Sequence, residues 1–325
     1  MASILITRAA LLDPSFSISD TRKTMEYVVA IDVGGTDIKS ALIDRNLTTI
    51  SQKVIPTPLS GNTQERILDS LTELVAEYSK IQKVSSVGIS FPGIFDDKNG
   101  VCIWSENLIL ENFHIKDLLE NRVQAPIIVK HDVRTAAIAE LRNGAAKNTD
   151  NAIFMSLGTG IAAAIIMNGE ICASNGYAGE IGHVNVNGKF ACVCGKFGCL
   201  EAASSTLAIS KAYASLSRTE GVSTEEIHSL VLQGDPIAMD VWRDAMSAIG
   251  RACEILVTLL APEVIVLGGG LSNAKATLLE PVSQYLADSL SFQHRPRVEL
   301  AHFGSKAGVI GCAIIAFELL RASER

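Results

Sequence analysis

An apolar run that breaks at a tight turn of Gly and Thr, then resumes as a second apolar run, occurs twice in this chain. Tyr27 to Ile31 leads through Asp32-Val33 into Gly34-Gly35-Thr36, and a second strand-like stretch follows from Ile38 to Asp44. Ala152 to Leu157 leads into Gly158-Thr159-Gly160, and Ile161 to Met167 follows, ending in Asn168-Gly169. Asn-Gly after an apolar run is a strong hairpin signal. The two turns begin at 34 and 158, a spacing of 124 positions. Solenoid repeats have periods of roughly 20–50 residues, so this spacing predicts a duplicated architecture with one unit in each of two domains. A dinucleotide fold needs its glycine turn to open a helix, with the spacing G-x-G-x-x-G. Both conditions fail here.

Between the units the pattern predicts a helix over 64–80, a strand over 84–90, a turn at Phe91-Pro92-Gly93 and a strand over 126–130. A helix over 133–143 follows, closed by Gly144. Further on come helices near 202–217, 224–232 and 236–260, a strand over 264–267 running into Gly268-Gly269-Gly270, and a last helix over 308–320. Strands alternating with helices make the class α/β. A chain of 325 residues suits two domains. The expected division is an N-terminal extension over 1–26, an N-terminal α/β domain over 27–131 and a C-terminal α/β domain over 132–325, whose last helix packs back on the first domain. The apolar start of the extension is split by Arg8 and followed by Pro14. It is too short and interrupted for a signal peptide, and Met25 reads as an alternative start.

A net charge of −7, with no basic run carrying interleaved aromatics, excludes a nucleic-acid surface. No span of eighteen apolar residues offers a membrane helix; Arg251 and Glu254 interrupt the best candidate. Of seven cysteines, Cys102, Cys172, Cys253 and Cys312 are scattered through apolar sequence and read as thiols, which points to the cytoplasm.

The other three cysteines carry chemistry. His183, Cys192, Cys194 and Cys199 supply one nitrogen and three thiolates, the donor set of a closed tetrahedral zinc site. No position remains for water, so the zinc is expected to be structural. Glu180 and Glu201 flank the ligands and are expected to be held by the knuckle as acceptors for sugar hydroxyls. Backbone amides in the two Gly/Thr turns, with a Thr hydroxyl, can cradle phosphates without a positive side chain. Asp32 then sits where it can hold Mg²⁺ through water. Gly268-Gly269-Gly270 fits either a close approach to a flat ligand or a turn making room for the next helix. Asp132, opening a helix after a strand, fits either a helix cap or a general base taking a hydroxyl proton. His131 reads as its structural neighbour, and Asn107 as a loop residue with a neutral donor and acceptor.

Taken in order, these motifs resemble the ROK family of the sugar-kinase, actin-like (ribonuclease H-like) fold. The carriers are Asp32-Val33-Gly34-Gly35-Thr36, Phe91-Pro92-Gly93 with Asp96, Glu106-Asn107-Leu108, Asp132 with Thr135 to Glu140, and Leu157 to Ile161. Glu180-Ile181-Gly182-His183, the complete Cys-x-Cys-Gly-x-x-Gly-Cys-x-Glu run and Val266 to Gly270 complete the set. The resemblance covers about residues 27 to 320. It implies phosphoryl transfer from ATP to a hexose in an interdomain cleft, with Asp132 as the catalytic base. Asn107, Asp132, Glu180, His183 and Glu201 would contact the sugar. Asp32, Gly34, Gly35, Thr36, Gly158, Thr159, Gly160 and Gly269 would serve ATP, and the chain would be a homodimer or homotetramer. The Pro92-Gly93 turn is similar to that of glucose-type kinases, so glucose is favoured narrowly, ahead of N-acetylmannosamine or another N-acetylhexosamine, then fructose. A sugar-binding scaffold is the non-enzyme alternative. About 26 residues ahead of the first strand are too few for the helix-turn-helix of the family's repressors.

Two departures stand out. The family's usual Asn-Asp-Ala-Asn is here His131-Asp132-Val133-Arg134, which removes both flanking amides. The second turn, usually followed by glycines, is followed by Ala162-Ala163-Ala164, whose methyls are expected to crowd that strand where phosphate or sugar approaches.

Overall fold

The computed structural model describes residues 26–323; the expectations for residues 1–25, including the alternative start at Met25, lie outside them. The chain runs β1 (Tyr27–Val33), β2 (Asp37–Asp44), β3 (Thr49–Pro56), α1 (Thr63–Ser79) and β4 (Val84–Phe91). A small meander follows, β5 (Ile94–Asp96), β6 (Val101–Ser105) and β7 (Leu110–Phe113), then α2 (Ile115–Glu120), β8 (Ile127–His131) and α3 (Asp132–Asn143). The second half has β9 (Ala152–Leu157), β10 (Ile161–Met167), β11 (Glu170–Cys172), α4 (Leu200–Ser204), α5 (Thr206–Ser217), α6 (Thr224–Gln233) and α7 (Pro236–Leu260). It ends with β12 (Val264–Gly268), α8 (Ala276–Ser289), β13 (Arg297–Leu300) and α9 (Ala307–Ser323).

The duplication is complete at the level of topology. The first sheet has the order β3-β2-β1-β4-β8 and the second β11-β10-β9-β12-β13. In each, three antiparallel strands from consecutive hairpins are extended by two parallel ones. A parallel strand needs a crossover, normally a helix, and α1 and α7 supply the first crossover in each half. The Asn168-Gly169 signal holds: both residues take positive φ, 53° and 76°, in the two-residue hairpin between β10 and β11.

β1 is apolar along nearly its whole length because both of its faces are covered. Val29, Ile31 and Val33 pack with α1 and α2, whereas Val28 and Ala30 pack with α9. β9 repeats the arrangement: Ile153, Met155 and Leu157 face α7 and α8, while Ala152 and Phe154 face α3. The last helix therefore returns to the first sheet, and α3 and α9 form a layer between the two sheets. The far end of α3 is pinned by Glu140. Its buried carboxylate accepts the amides of Ala145 (2.8 Å), His302 (3.0 Å) and Phe303 (2.9 Å).

Three sequence expectations need correction. The single helix expected over 202–217 is two helices, α4 and α5, because Ser205 adopts an extended conformation and caps α5 by accepting the Ala208 amide. The cap of α3 is His131 rather than Asp132, which is the first helical residue. The alanines after the second turn do not all face an approaching ligand: Ala163 is buried in the core of the second sheet and Ala164 against the α3 side, and Ala162, beside it, is partly buried. Among the described residues, no helix is long and apolar enough to cross a membrane.

Candidate active site

The first glycine turn is braced by its own hairpin and by the residue after β3. Gly34 N–H donates to Asp37 O at 2.9 Å, Thr57 Oγ1 donates to Gly34 O at 2.7 Å, and Thr57 N–H donates to Thr36 O at 2.8 Å. Asn107 lies on the exposed turn between β6 and β7, where its Cβ would stand 3.5 Å from a Cβ placed on Gly35. The meander thus carries Asn107 to the edge of this turn.

The second turn is closed by Gly158 N–H on Gly160 O at 3.0 Å and by Thr206 N–H on Gly158 O at 2.9 Å. Glu201 Oε2 accepts the Ile161 amide at 2.9 Å and lies where a Cβ on Gly160 would come within 3.0 Å of it. Gly269, at φ 78°, passes over Leu157 so closely that a Cβ would lie 2.4 Å from the Leu157 carbonyl oxygen. That crossing by itself accounts for a glycine at this position. The neighbouring Gly270, not Gly269, joins Gly158, Thr159, Thr224 and His228 around a cavity of about 700 Å³ beside the turn. His228 is fixed there by stacking on Trp242 (5.1 Å between ring centres) and by a 2.7 Å hydrogen bond with Thr277 Oγ1.

Asp32 and Asp132 stand at the ends of β1 and β8. Asp32 Oδ1 accepts the Ser90 hydroxyl at 2.5 Å. Burial raises the proton affinity of Asp32 above the ordinary carboxylate range; the Ser90 bond opposes the rise and the Asp132 charge adds to it. Asp132 keeps about a third of its side-chain surface open to solvent, 34%. Its walls desolvate it all the same, and burial pushes its pKa up to about 6 against the pull of the Val133 amide and the Arg134 charge. His131 Nδ1 accepts the Arg134 amide at 3.4 Å, which makes its other nitrogen the protonated one in a neutral ring. Burial pushes the His131 pKa down to about 3, and Nε2 lies 3.3 Å from Asp132 Oδ1.

Glu180 belongs to the same electrostatic cluster. Burial raises its pKa first; the charge of His183 opposes this, Glu201 adds to it, Arg134 opposes it and Asp132 adds to it. Glu180 is thus close enough to feel the charges of Asp132, His183 and Glu201. The ligand set beside them is compact. His183 Nδ1 lies 3.7 Å from Cys192 Sγ, Cys194 Sγ lies 3.7 Å from Cys199 Sγ, and all four ligand atoms lie within 4.8 Å of one another. A tetrahedron with Zn–S bonds of about 2.3 Å has edges of about 3.8 Å, and the two 3.7 Å separations match that edge, so the donor set suits the ion.

Asp97 and the partners of Arg134 escaped the sequence reading. Asp97 Oδ1 accepts the His131 amide at 2.7 Å and Oδ2 accepts Arg134 Nε–H at 2.6 Å. The adjacent acidic pair Asp96-Asp97 and a cation two residues beyond Asp132 were the visible signal, but nothing local says that they meet.

Two copies of one five-stranded topology, each offering a glycine turn, with a desolvated carboxylate at the head of α3, define a phosphotransferase of the sugar-kinase kind. The chain belongs to the ROK family, whose model matches residues 28–318. A glucokinase of Halalkalibacterium halodurans is 33% identical over 322 residues, covering 88% of this chain and 93% of that protein. The crystal structure of a ROK family glucokinase from Streptomyces griseus, in complex with glucose and AMPPNP, matches with a TM-score of 0.79 at 28% identity. It covers 90% of this chain and 99% of its own. The family likeness extends to regulators: the N-acetylglucosamine repressor of Escherichia coli is 26% identical over 279 residues, 82% of this chain and 68% of that protein.

Proposed function

We propose that this chain transfers the γ-phosphoryl group of ATP to the 6-hydroxyl of an aldohexose, with glucose the first candidate. The observation that carries the reading is the position and state of Asp132. It stands at the head of α3 within reach of Glu180, which also feels His183 and Glu201, with a pKa of about 6 and an open side. A base of that strength is ionised at neutral pH yet still takes a proton readily. The glucokinase relatives support the substrate class.

In this mechanism Asn107, Glu180, His183 and Glu201 orient the sugar through its hydroxyls. Asp132 accepts the proton of the 6-hydroxyl as that oxygen attacks the γ-phosphorus in line, and ADP leaves. The amides at Gly35 and Gly160 face the phosphates, those of Gly34 and Gly158 being spent on closing their own turns, and the cavity beside Gly270 takes the nucleoside. Mg²⁺, held by Asp32 through water, would neutralise charge on the phosphates. Asp32 is a hard oxygen donor at the foot of the first turn and suits that ion. Structural zinc on His183, Cys192, Cys194 and Cys199 would hold Glu180 and Glu201 from either side. The same reading has the protein acting on a free sugar in the cytoplasm, without nucleic acid, as a homodimer or homotetramer.

A coupled assay of ATP consumption with glucose, N-acetylmannosamine, N-acetylglucosamine and fructose tests it. Glucose is expected to give the highest kcat/KM. Tight sugar binding with no turnover on any of the four would instead make the chain a sugar-binding scaffold.

A further inference from the structure

The segment around Asp132 carries a feature that the kinase reading does not use. Arg134 is the largest fully buried side chain among the described residues, its side chain 1% exposed, and it reaches three acceptors on two separate segments. Nε–H donates to Asp97 Oδ2 at 2.6 Å, Nη2–H donates to Phe95 O at 2.9 Å, and Nη1–H donates to Gly176 O at 3.4 Å. Asp97 is equally committed, because its other oxygen accepts the His131 amide at 2.7 Å. One carboxylate therefore holds the chain on both sides of Asp132.

A buried ion pair is weak as a source of stability, because desolvating two charges offsets their attraction. Its geometry is informative instead. Phe95 belongs to β5, the first strand of the meander whose β6–β7 turn carries Asn107. Gly176 closes a short helical turn, Ser174–Gly176, four residues ahead of Glu180. The guanidinium thus ties α3 to two segments that each lead to a sugar-contacting side chain. Lysine, a point charge, does not reproduce a planar fork that meets three acceptors.

We propose that Asp97 and Arg134 are a positioning pair for the transfer reaction: together they fix the first turn of α3 against β5 and the 174–176 turn, and so set where Asp132 stands relative to Asn107 and Glu180. The inference rests on the kinase reading for its kinetic consequence but not for its structural one. The charged or titratable groups facing Asp132 are His131 and Arg134 on its own segment, Asp97 after β5, Asp32 at the end of β1 and Glu180. Substitutions at 97 and 134 leave the other three in place.

The test uses the full chain as Arg134→Gln, Arg134→Lys and Asp97→Asn, with two readouts. The first is steady-state kinetics on glucose. Both Arg134 variants are expected to lower kcat roughly 10- to 100-fold while the KM for ATP stays within about twofold, because the attacking oxygen is misplaced and the nucleotide site is untouched. The second readout needs no turnover: the Asp132 carboxyl is titrated by ¹³C NMR, its resonance assigned by loss in Asp132→Asn. Arg134→Gln removes a positive neighbour and is expected to move that titration to higher pH. Asp97→Asn removes a negative one and is expected to move it to lower pH, and Arg134→Lys is expected to titrate near the parent while kcat stays low. Variants that merely melt earlier, with the parent titration and kcat within about twofold, overturn the proposal. If Arg134→Gln does not fold, Arg134→Lys and Asp97→Asn decide the matter. A parent chain that turns over no sugar sinks the kinase reading, and the titration arm still decides the pair.

Discussion

Glu201 Oε2 accepts the Ile161 amide at 2.9 Å, so a residue two positions past Cys199 closes the second glycine turn. In the kinase reading the sugar half and the phosphate half of the site therefore meet in one carboxylate. Glu201→Ala is expected to raise the KM for both sugar and ATP, whereas a pure sugar contact would raise only the first. Steady-state kinetics with each substrate varied in turn checks this, and Glu201→Gln, which keeps an oxygen acceptor, is expected to spare the ATP term.

Metal removal is expected to act on the site before it acts on the fold. The ligands lie in a surface knuckle, with Cys192 and Cys199 buried and Cys194 exposed, while each sheet has a separate apolar core. Chelation followed by sugar titration calorimetry and thermal melting is expected to show sugar affinity lost while a cooperative transition persists. Sugar binding that survives full metal removal would reduce the knuckle to a staple.

The pH profile follows from Asp132. Its pKa is raised to about 6, so the carboxylate holds its proton to higher pH than an ordinary side chain near 4 would. The ionised form is the base, so kcat/KM is expected to be level above about pH 6 and to fall about tenfold per unit well below it. The sign for stability is opposite. The folded state favours the protonated form, so the stability this group contributes is present at acid pH and lost as pH rises through its folded value. An acid limb near pH 4 would remove the desolvated carboxylate from the role.

Gly269 is held at φ 78° against the Leu157 carbonyl. Gly269→Ala is expected to cost more than the roughly 1–3 kcal/mol of an ordinary strained residue, because backbone must also move. Urea unfolding measures the loss. The KM for ATP is expected to rise with it, since Leu157 leads directly into Gly158.

Much of this was legible because it is local. Each hairpin around a glycine turn is written in one continuous stretch, and so are the four ligands between 183 and 199. Asp132 was legible as the start of a helix after a strand. What was missed depends on contacts between distant parts of the chain. β3 is an edge strand with a mostly exposed surface, so it carries no apolar alternation to read. Arg134 looks like a lost amide from its neighbours alone. Its meaning lies in Asp97, 37 positions earlier, and in two carbonyls on other segments. The alanines after the second turn look obstructive until the pleat of β10 sends Ala163 into one core and Ala164 into another.

The most direct test of the account is Asp132→Asn, measured for glucose affinity and for ATP-dependent turnover on the same preparation. The account predicts sugar binding close to that of the parent and a loss of kcat of at least about 10²- to 10⁴-fold, the range a positioned base contributes. Turnover near the parent value, with folding intact, would contradict it.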